Sequence, residues 1–285
     1  MKAEIIVSNP QHLADTIANI ANGGSSNLHV LADFDRTLTT AFVDGKSVPS
    51  LISVLRDGDY LSKDYSQKAH GLFEKYHAIE IDPKVPKEEK IKAMQEWWDL
   101  HFDLLIKSGL NKRHLKDVID SGKVKLRQGC LELIDLLKEN NIPLVIMSSS
   151  GLGGDVIKMY LDKKGRMYPN IHIISNSFDW DENGNAVSIR KPIIHGMNKC
   201  ETMVKDFPVF EEIKSRKNVI LLGDSLEDIG MVSGFGYDNL IKIGFLNENI
   251  AENTAYYADN YDVIILNDGD MEYVNSLLGK IIQAT

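Results

Sequence analysis

Short apolar runs recur along the chain and alternate with segments of helical periodicity. Six of these runs have the length and composition of buried strands, and they occupy residues 28–33, 143–148, 171–175, 218–223, 240–244 and 262–266. Between them, apolar residues recur at helical spacing over residues 127–140, 152–164, 226–233, 249–259 and 270–283. This alternation predicts a doubly wound parallel sheet of the α/β class.

One long segment breaks the alternation. Residues 41–124 contain no run typical of a buried strand and have helical periodicity at 62–79, 86–108 and 111–121. About 85 residues are too many for a simple crossover between two strands. We therefore expect a core domain formed by residues 1–40 and 125–285, and a helical cap domain, residues 41–124, inserted after the first core strand. A hairpin is also expected around Asn183-Gly184, which separates two alternating segments.

Composition and charge narrow the class of protein. The chain has 285 residues, of which 43% are hydrophobic and 26% charged, as in globular proteins. The net charge of −9 argues against a surface for polymeric nucleic acid or an anionic membrane. Cys130 and Cys200 lie far apart in sequence, and no apolar stretch reaches the roughly 18 residues of a membrane span. We expect a cytoplasmic monomer with both thiols reduced.

Acidic residues end two of the predicted strands. Asp33 and Asp35 follow the first strand at alternate positions, so both can project from its carboxyl end, and Thr37 completes a D-x-D-x-T pattern. Asp224 ends a later strand, and Asp228 lies one helical turn beyond it. In open α/β sheets, ligand sites lie at the carboxyl ends of the strands. The sequence therefore predicts a ligand site at this edge of the sheet.

Hydroxyl and cationic groups are available for the same site. Ser149 and Ser150 follow a predicted strand and precede a glycine-rich turn into a helix. Hydroxyls and backbone amides at the start of a helix suit phosphate oxygens. A lysine would offset the charge of a phosphate, and the sequence alone leaves Lys191 and Lys199 as candidates.

These motifs resemble those of the pyrimidine 5'-nucleotidase, or cytosolic 5'-nucleotidase III, family of the haloacid dehalogenase (HAD) superfamily. The resemblance covers nearly the whole chain, although residues 41–72 match poorly. It is carried by the segments ADFDRTLT (32–39), KYHAIEIDP (75–83), EEKIKAMQEWW (88–98), SSGLG (149–153), IIHGMNK (193–199), LLGDSLEDIGM (221–231) and IKIGFLN (241–247). The resemblance implies a HAD-type Rossmann-like core with an inserted helical cap, and a magnesium-dependent 5'-nucleotidase.

The resemblance also implies roles for the acidic residues. Asp33 is expected to attack the phosphate and to form an aspartyl-phosphate, while Asp35 acts as general acid and then general base. Mg²⁺ is the expected cofactor, and its expected ligands are Asp33, Asp224 and the backbone carbonyl of Asp35. Oxygen ligands of this kind are those that Mg²⁺ prefers.

The same family pattern implies how the phosphate is held. By the resemblance, Lys199 rather than Lys191 is the catalytic lysine, and it binds the phosphate together with Ser149 and Ser150. Asp228 is expected to position this lysine or a metal-bound water. Lys191 is then expected at the surface.

The cap is expected to read the nucleoside. Glu80 lies in the matching AIEIDP segment and is the expected hydrogen-bond acceptor for a base or sugar. Trp97 and Trp98 lie about 100° apart on a helix, so we expect one in the cap core and Trp98 at the cleft, stacked on the base. Pyrimidine-preferring members often have tyrosine at the position of Trp98. A cationic 7-methylguanine base would gain from the larger indole face, so the preferred base stays open.

We therefore expect a phosphatase for nucleoside 5'-monophosphates, either pyrimidine nucleotides such as UMP and CMP or 7-methyl-GMP. One alternative is a HAD phosphatase that acts on a non-nucleotide such as phosphoserine or a sugar phosphate. A second alternative, from another class, is a non-catalytic nucleotide-binding relative. Such a relative should have lost at least one of the catalytic and metal-binding residues, and the chain has them all: Asp33, Asp35, Lys199 and Asp224.

Overall fold

The computed structural model describes residues 4–82, 84–199, 207–233 and 236–284. Its strands are β1 (Ile5–Val7), β2 (Leu28–Ala32), β3 (Phe42–Val43), β4 (Lys46–Ser47), β5 (Leu144–Met147), β6 (Ile171–Ile174), β7 (Phe178–Trp180), β8 (Ala186–Ile189), β9 (Asn218–Gly223), β10 (Asn239–Leu246) and β11 (Val263–Leu266). Its helices are α1 (Pro10–Gly23), α2 (Leu51–Asp57), α3 (Tyr65–Ile81), α4 (Lys87–Lys107), α5 (Lys112–Asp120), α6 (Cys130–Glu139), α7 (Gly153–Lys163), α8 (Val209–Ile213), α9 (Ile250–Ala258) and α10 (Glu272–Gln283).

The central sheet has the parallel arrangement that the apolar runs predict. In the described part of the chain it has seven strands in the order β1-β11-β10-β9-β2-β5-β6. Every pair is parallel except β1 with β11. All six predicted strands belong to this sheet, so the predicted doubly wound sheet is confirmed. The edge strand β1 was not predicted, because three half-buried residues give no periodic signal.

Helices cover both faces of the sheet because its strands are apolar on both sides. In β2, Val30 packs in the larger apolar cluster, with residues of α1, α6 and α10, whereas its neighbour Leu31 packs with residues of α8. Successive side chains of a strand point to opposite faces, so one strand contributes to both clusters. Helix α1 was also not predicted. It begins at Pro10, and the side chain of Asn9 caps it by accepting a hydrogen bond from the amide of His12 at 3.0 Å.

Residues 41–124 lie outside the central sheet and form the β3–β4 hairpin and helices α2 to α5. Their two connections to the core run side by side, since Thr39 pairs with Leu126 and the amide of Thr40 donates to the carbonyl of Lys125 at 3.0 Å. This arrangement is compatible with the proposed domain division at residues 40 and 125. Helix α2 and the short hairpin were not predicted.

Other local predictions have mixed outcomes. The hairpin around Asn183-Gly184 is confirmed as β7–β8, with Gly184 in the left-handed region at φ 77°. The helix expected at 226–233 is a 3₁₀ segment, Leu226–Val232, rather than an α-helix. Cys130 is a buried free thiol, and burial raises its pKa to about 12, whereas Cys200 lies outside the described residues. Among the described helices, none is long and apolar enough to cross a membrane.

Candidate active site

The carboxyl ends of three neighbouring strands bring the predicted site residues together. Strand β2 lies between β5 and β9, so the segments that follow these strands start at one edge of the sheet. Asp33 follows β2, and its amide donates to the carbonyl of Leu222 in β9 at 3.0 Å. Ser149 follows β5, and Asp224 follows β9 directly. This edge adjoins the point where chain connections diverge to either side of β2, which is where open α/β sheets bind ligands.

A buried lysine joins two of the acidic residues. The Lys199 ammonium donates to Asp33 Oδ1 and, at 2.8 Å, to Asp228 Oδ1. Lys199 and Asp33 are each only 5% exposed, and Asp228 is 1% exposed. Lys191, the other candidate, is exposed and pairs with Asp99 at the surface. The structure therefore puts Lys199, and not Lys191, beside the expected nucleophile.

Burial and the charge of Lys199 shift the pKa of Asp33 in opposite directions, and burial and the neighbouring carboxylates do the same for the pKa of Lys199. Burial and the charge of Asp228 raise the pKa of Asp33, the charge of Lys199 lowers it, and burial prevails, so that the pKa is raised to about 7. For Lys199, burial lowers the pKa, but the carboxylates of Asp228 and Asp33 outweigh that effect, so its pKa is raised. A lysine held between two carboxylates therefore stays protonated at neutral pH.

Asp228 is held by the backbone as well as by the lysine. Its Oδ2 accepts hydrogen bonds from the amides of Asp224 (3.1 Å) and Ser225 (3.0 Å) and from the Ser225 hydroxyl (3.0 Å). With Oδ1 on Lys199, both carboxylate oxygens are used. The side chain thus fixes the lysine relative to the turn that carries Asp224.

Asp35 lies in an irregular turn with an available carboxylate oxygen. Burial raises the pKa of Asp35 to about 6, partly offset by Lys199. Its Oδ1 is buried and has no hydrogen-bond partner among the described residues. A carboxyl group that titrates near pH 6 and lacks a protein partner is suited to exchange protons with a ligand.

The turn that carries Asp35 has a support that the sequence analysis missed. Arg36 is in the left-handed region, at φ 62°, an uncommon conformation for a side chain of this size. The buried guanidinium of Arg127 donates to the carbonyls of Arg36 and, at 2.8 Å, of Thr37, and pairs with Asp268 at 2.9 Å. No local motif marks Arg127, because its role depends on contacts between distant segments.

The acidic residues fit a divalent cation. Oxygen atoms of Asp33, Asp224 and Asp228 lie within 4.8 Å of one another. Burial, together with Asp228 and Asp33, raises the pKa of Asp224 well above its usual range, which indicates an excess of negative charge at this point. Because Asp228 already binds Lys199 and two amides, Asp33 and Asp224 are the side chains with oxygens available for a metal. Hard oxygen donors of this type suit Mg²⁺.

The two predicted phosphate-binding serines differ in their surroundings. Ser149 is half-buried, and its hydroxyl makes no hydrogen bond to any residue in the described ranges. Ser150 is buried, and its hydroxyl accepts from the amide of Leu152 at 3.3 Å. The amides of Gly153 and Gly154 donate to backbone carbonyls, so they are not free for a ligand. Ser149 is therefore the more available of the two hydroxyls.

An aromatic cavity of about 150 Å³ lies in the cap, next to the serine turn. Both Trp97 and Trp98 are half-buried and line it, and the expectation that Trp98 alone faces the substrate cleft stays a prediction. His101 also lines the cavity, and its Nε2 lies 3.0 Å from the carbonyl oxygen of Gly151. Trp98 is therefore within the part of the cap that touches the turn after Ser150.

Glu80 lies elsewhere in the cap. Its carboxylate is 3.1 Å from His77 Nδ1, and its backbone carbonyl accepts from Lys90 at 2.7 Å. It faces the loop that leads to Lys199, since a Cβ atom on Gly196 would lie 3.8 Å from Glu80 Oε1. Glu80 does not line the aromatic cavity, so the two predicted cap residues approach the core from different positions.

Comparisons with known proteins agree with this geometry. A family model described as pyrimidine 5'-nucleotidase (UMPH-1) matches residues 36–282. The 7-methylguanosine phosphate-specific 5'-nucleotidase of Mus musculus is 34% identical over 283 residues, which are 99% of this chain and 94% of that protein. The crystal structure of cytosolic 5'-nucleotidase IIIB bound to cytidine is 25% identical, with a TM-score of 0.89 over 98% of this chain and 94% of that one. A HAD-family hydrolase from Salmonella enterica, 16% identical with a TM-score of 0.54 over 88% of this chain and 71% of that one, shares the fold alone.

Proposed function

Because the chain belongs to the pyrimidine 5'-nucleotidase family, we propose that it hydrolyses a nucleoside 5'-monophosphate through an aspartyl-phosphate on Asp33. It is a 5'-nucleotidase with the HAD phosphatase fold. The observation that carries the proposed mechanism is the buried contact of Asp33 with Lys199 at the carboxyl edge of the sheet. A carboxylate that approaches a phosphate dianion meets repulsion of about 4 kcal/mol per pair of unit charges at 4 Å and a dielectric of 20. The fixed ammonium of Lys199 offsets part of that repulsion.

The proposed reaction has two displacement steps. In the first, an oxygen of Asp33 attacks phosphorus, the bond from phosphorus to the ribose 5'-oxygen breaks, and Asp35 donates a proton to that oxygen. In the second, Asp35 takes a proton from water as the water attacks phosphorus, the bond from phosphorus to the Asp33 oxygen breaks, and inorganic phosphate leaves while the Asp33 carboxylate is restored. The raised pKa of Asp35, about 6, supports this role because the group can hold and release a proton near neutral pH.

We propose Mg²⁺ as the cofactor, held by Asp33 and Asp224 and by the backbone carbonyl of Asp35. The close approach of buried carboxylates around Asp224, whose pKa is raised, supports a cation at this point. When bound, Mg²⁺ supplies positive charge that stabilises the transferring phosphoryl group. Lys199 and Ser149 would hold the phosphate oxygens. Ser150, the next residue of the same turn, is proposed as a further phosphate-binding residue.

Residues 41–124 are proposed as the cap that closes on the nucleoside. The position of Trp98 in the aromatic cavity supports a stacking role, and the position of Glu80 at the loop before Lys199 supports a contact with the sugar or base. A cytoplasmic location is proposed as well, supported by the description of the structural neighbour as cytosolic. We also propose that the protein is a monomer.

Two classes of base are candidates. The mouse relative is described as specific for 7-methylguanosine phosphate, whereas the neighbouring crystal structure contains cytidine. Both observations support a nucleoside monophosphate as the substrate of this chain.

Phosphate release from a panel of phosphomonoesters tests the proposal. The panel contains UMP, CMP, GMP, 7-methyl-GMP, phosphoserine and glucose 6-phosphate, each with Mg²⁺ and with excess chelator. We expect the highest kcat/KM for a nucleoside monophosphate, and loss of activity in chelator that added Mg²⁺ reverses. Preference for phosphoserine or the sugar phosphate over every nucleotide would favour the alternative HAD phosphatase instead.

A further inference from the structure

The aromatic cavity of the cap is placed to receive the base. Two of its lining residues touch the turn after the phosphate-binding serines: His101 Nε2 lies 3.0 Å from the Gly151 carbonyl oxygen, and Ile52 packs against Gly151. The proposed function puts the phosphate at Ser149, two residues before Gly151, so the base of a bound nucleotide can reach this cavity. The charge of the cavity then bears on which base can bind.

Arg56 gives the cavity a positive charge. Its guanidinium lies 4.4 Å from the centre of the Phe73 ring, and its Nη2 donates to Ser53 Oγ at 3.2 Å. The side chain is only 15% exposed. Its acidic neighbour Asp57 is 48% exposed, lies at a long 3.4 Å from Nε and also contacts His70 at 3.2 Å. Asp57 therefore faces solvent and screens the guanidinium only weakly.

No negative charge balances Arg56 inside the cavity. Among the described residues that line it, Arg56 is the sole charged side chain and none is a carboxylate. His101 is neutral at pH 7, because burial and the Arg56 charge outweigh its hydrogen bond to Gly151 and lower its pKa to about 4. The Tyr65 hydroxyl is buried and has no hydrogen-bond partner in the described ranges. The cavity therefore offers a cation and an unsatisfied hydroxyl to a ligand.

We propose that Arg56 selects a neutral, carbonyl-bearing base and rejects a cationic one such as 7-methylguanine. Guanidinium N–H groups donate to carbonyl oxygens, which uracil, cytosine and guanine all present. A cationic base about 6 Å from Arg56 would be disfavoured by about a hundredfold at an effective dielectric of 20. This repulsion opposes the attraction that the indole face of Trp98 would exert on the same cation.

Specificity constants for a matched pair of substrates test the proposal. GMP and 7-methyl-GMP differ by one methyl group and one positive charge, and the change in the ratio of their kcat/KM values between enzyme variants that differ in charge isolates the effect of charge. In the wild-type enzyme we expect 7-methyl-GMP to be the poorer substrate. Arg56→Met, which keeps length and apolar contact, should raise the ratio of 7-methyl-GMP to GMP by about tenfold or more.

Two further variants separate charge from structure. Arg56→Lys retains the charge and should keep the wild-type ratio, even if its absolute rates fall. Lys92→Met removes a positive charge from the exposed side of α4, outside the cavity, and should leave the ratio unchanged. Inhibition by guanosine and 7-methylguanosine, measured on the same variants, gives the same comparison without dependence on the chemical step.

The outcomes distinguish this inference from the proposed function. If nucleotides are hydrolysed but the wild-type enzyme prefers 7-methyl-GMP, or Arg56→Met leaves the ratio unchanged, the role of Arg56 is wrong and the nucleotidase assignment stands. If the enzyme hydrolyses p-nitrophenyl phosphate but no nucleotide, both are wrong. A raised ratio in Arg56→Met, with an unchanged ratio in Arg56→Lys and Lys92→Met, supports the inference.

Discussion

Asp228 is the residue whose replacement tests the arrangement of the active site most directly. It binds the Lys199 ammonium at 2.8 Å with one oxygen, and two amides and the Ser225 hydroxyl with the other. In Asp228→Asn, the three donors are expected to retain the amide oxygen. The new NH₂ group then faces the Lys199 ammonium, and the lysine loses one of its two anionic partners. We predict that turnover falls by about a hundredfold while the protein still folds.

The magnitude follows from the contact that is lost. Unit charges at 2.8 Å and an effective dielectric of 20 interact by about 6 kcal/mol, which is an upper limit. Lys199 keeps Asp33 as a partner, so about half of that value, roughly 3 kcal/mol, is a reasonable loss. Since each 1.4 kcal/mol is about a factor of ten in rate, the expected change is about a hundredfold.

Steady-state rates at several Mg²⁺ concentrations, together with thermal melting, provide the assay. Ser225→Ala is the matched control. It removes one neutral hydrogen-bond donor to Asp228, so it should raise the activation free energy of turnover by only about 1 kcal/mol. Excess Mg²⁺ should partly restore Asp224→Ala, a proposed metal ligand, but not Asp228→Asn. The reasoning is refuted if Asp228→Asn turns over at the wild-type rate, or if Mg²⁺ restores it fully, since the second result would make Asp228 a metal ligand.

Three further predictions concern the nucleophile, the base platform and the pH dependence of stability. Asp33→Asn should lower turnover by several orders of magnitude in a protein that melts cooperatively, and near-normal turnover would contradict the aspartyl-phosphate. Trp98→Ala should lower kcat/KM for the best nucleotide by about tenfold to a hundredfold, because base stacking contributes roughly 1–3 kcal/mol, with little change for p-nitrophenyl phosphate; an equal loss on both would indicate a structural role. Burial raises the pKa of Asp35 to about 6, so the metal-free native state keeps a proton that the unfolded chain has lost. In urea unfolding, the contribution of Asp35 to the free energy of unfolding should fall by at most about 3 kcal/mol as the pH rises from about 4 to 6. Asp35→Asn should remove that part of the pH dependence, and an unchanged pH dependence in this variant would argue against the raised pKa of Asp35.

Much of the core could be predicted from the sequence because its strands are buried on both faces. Such strands read as continuous apolar runs, and all six were found in that way. The elements that escaped prediction have weaker signals. Strand β1 has three half-buried residues, and α2 is a seven-residue helix in the segment that matches the family poorly.

The core of the candidate site was also visible in the sequence, since Asp33, Asp35, Asp224 and Asp228 follow predicted strands at regular spacing. The sequence pattern alone did not distinguish Lys199 from Lys191, and the choice of Lys199 came from the family resemblance. In the structure the distinction is physical, because Lys199 is buried against Asp33, whereas Lys191 pairs with Asp99 at the surface.

The sequence by itself determined the periodic elements, the order of the strands along the chain and the residues that end them, because these depend on local patterns of two to four residues. Only the tertiary structure decided which distant groups meet. The support of the Asp35 turn by Arg127, the pairing of Lys199 with Asp33 and Asp228, and the position of Arg56 in the aromatic cavity all arise from segments far apart in the chain. Such contacts depend on how helices and loops pack against the sheet, and packing of this kind leaves no periodic trace in the sequence.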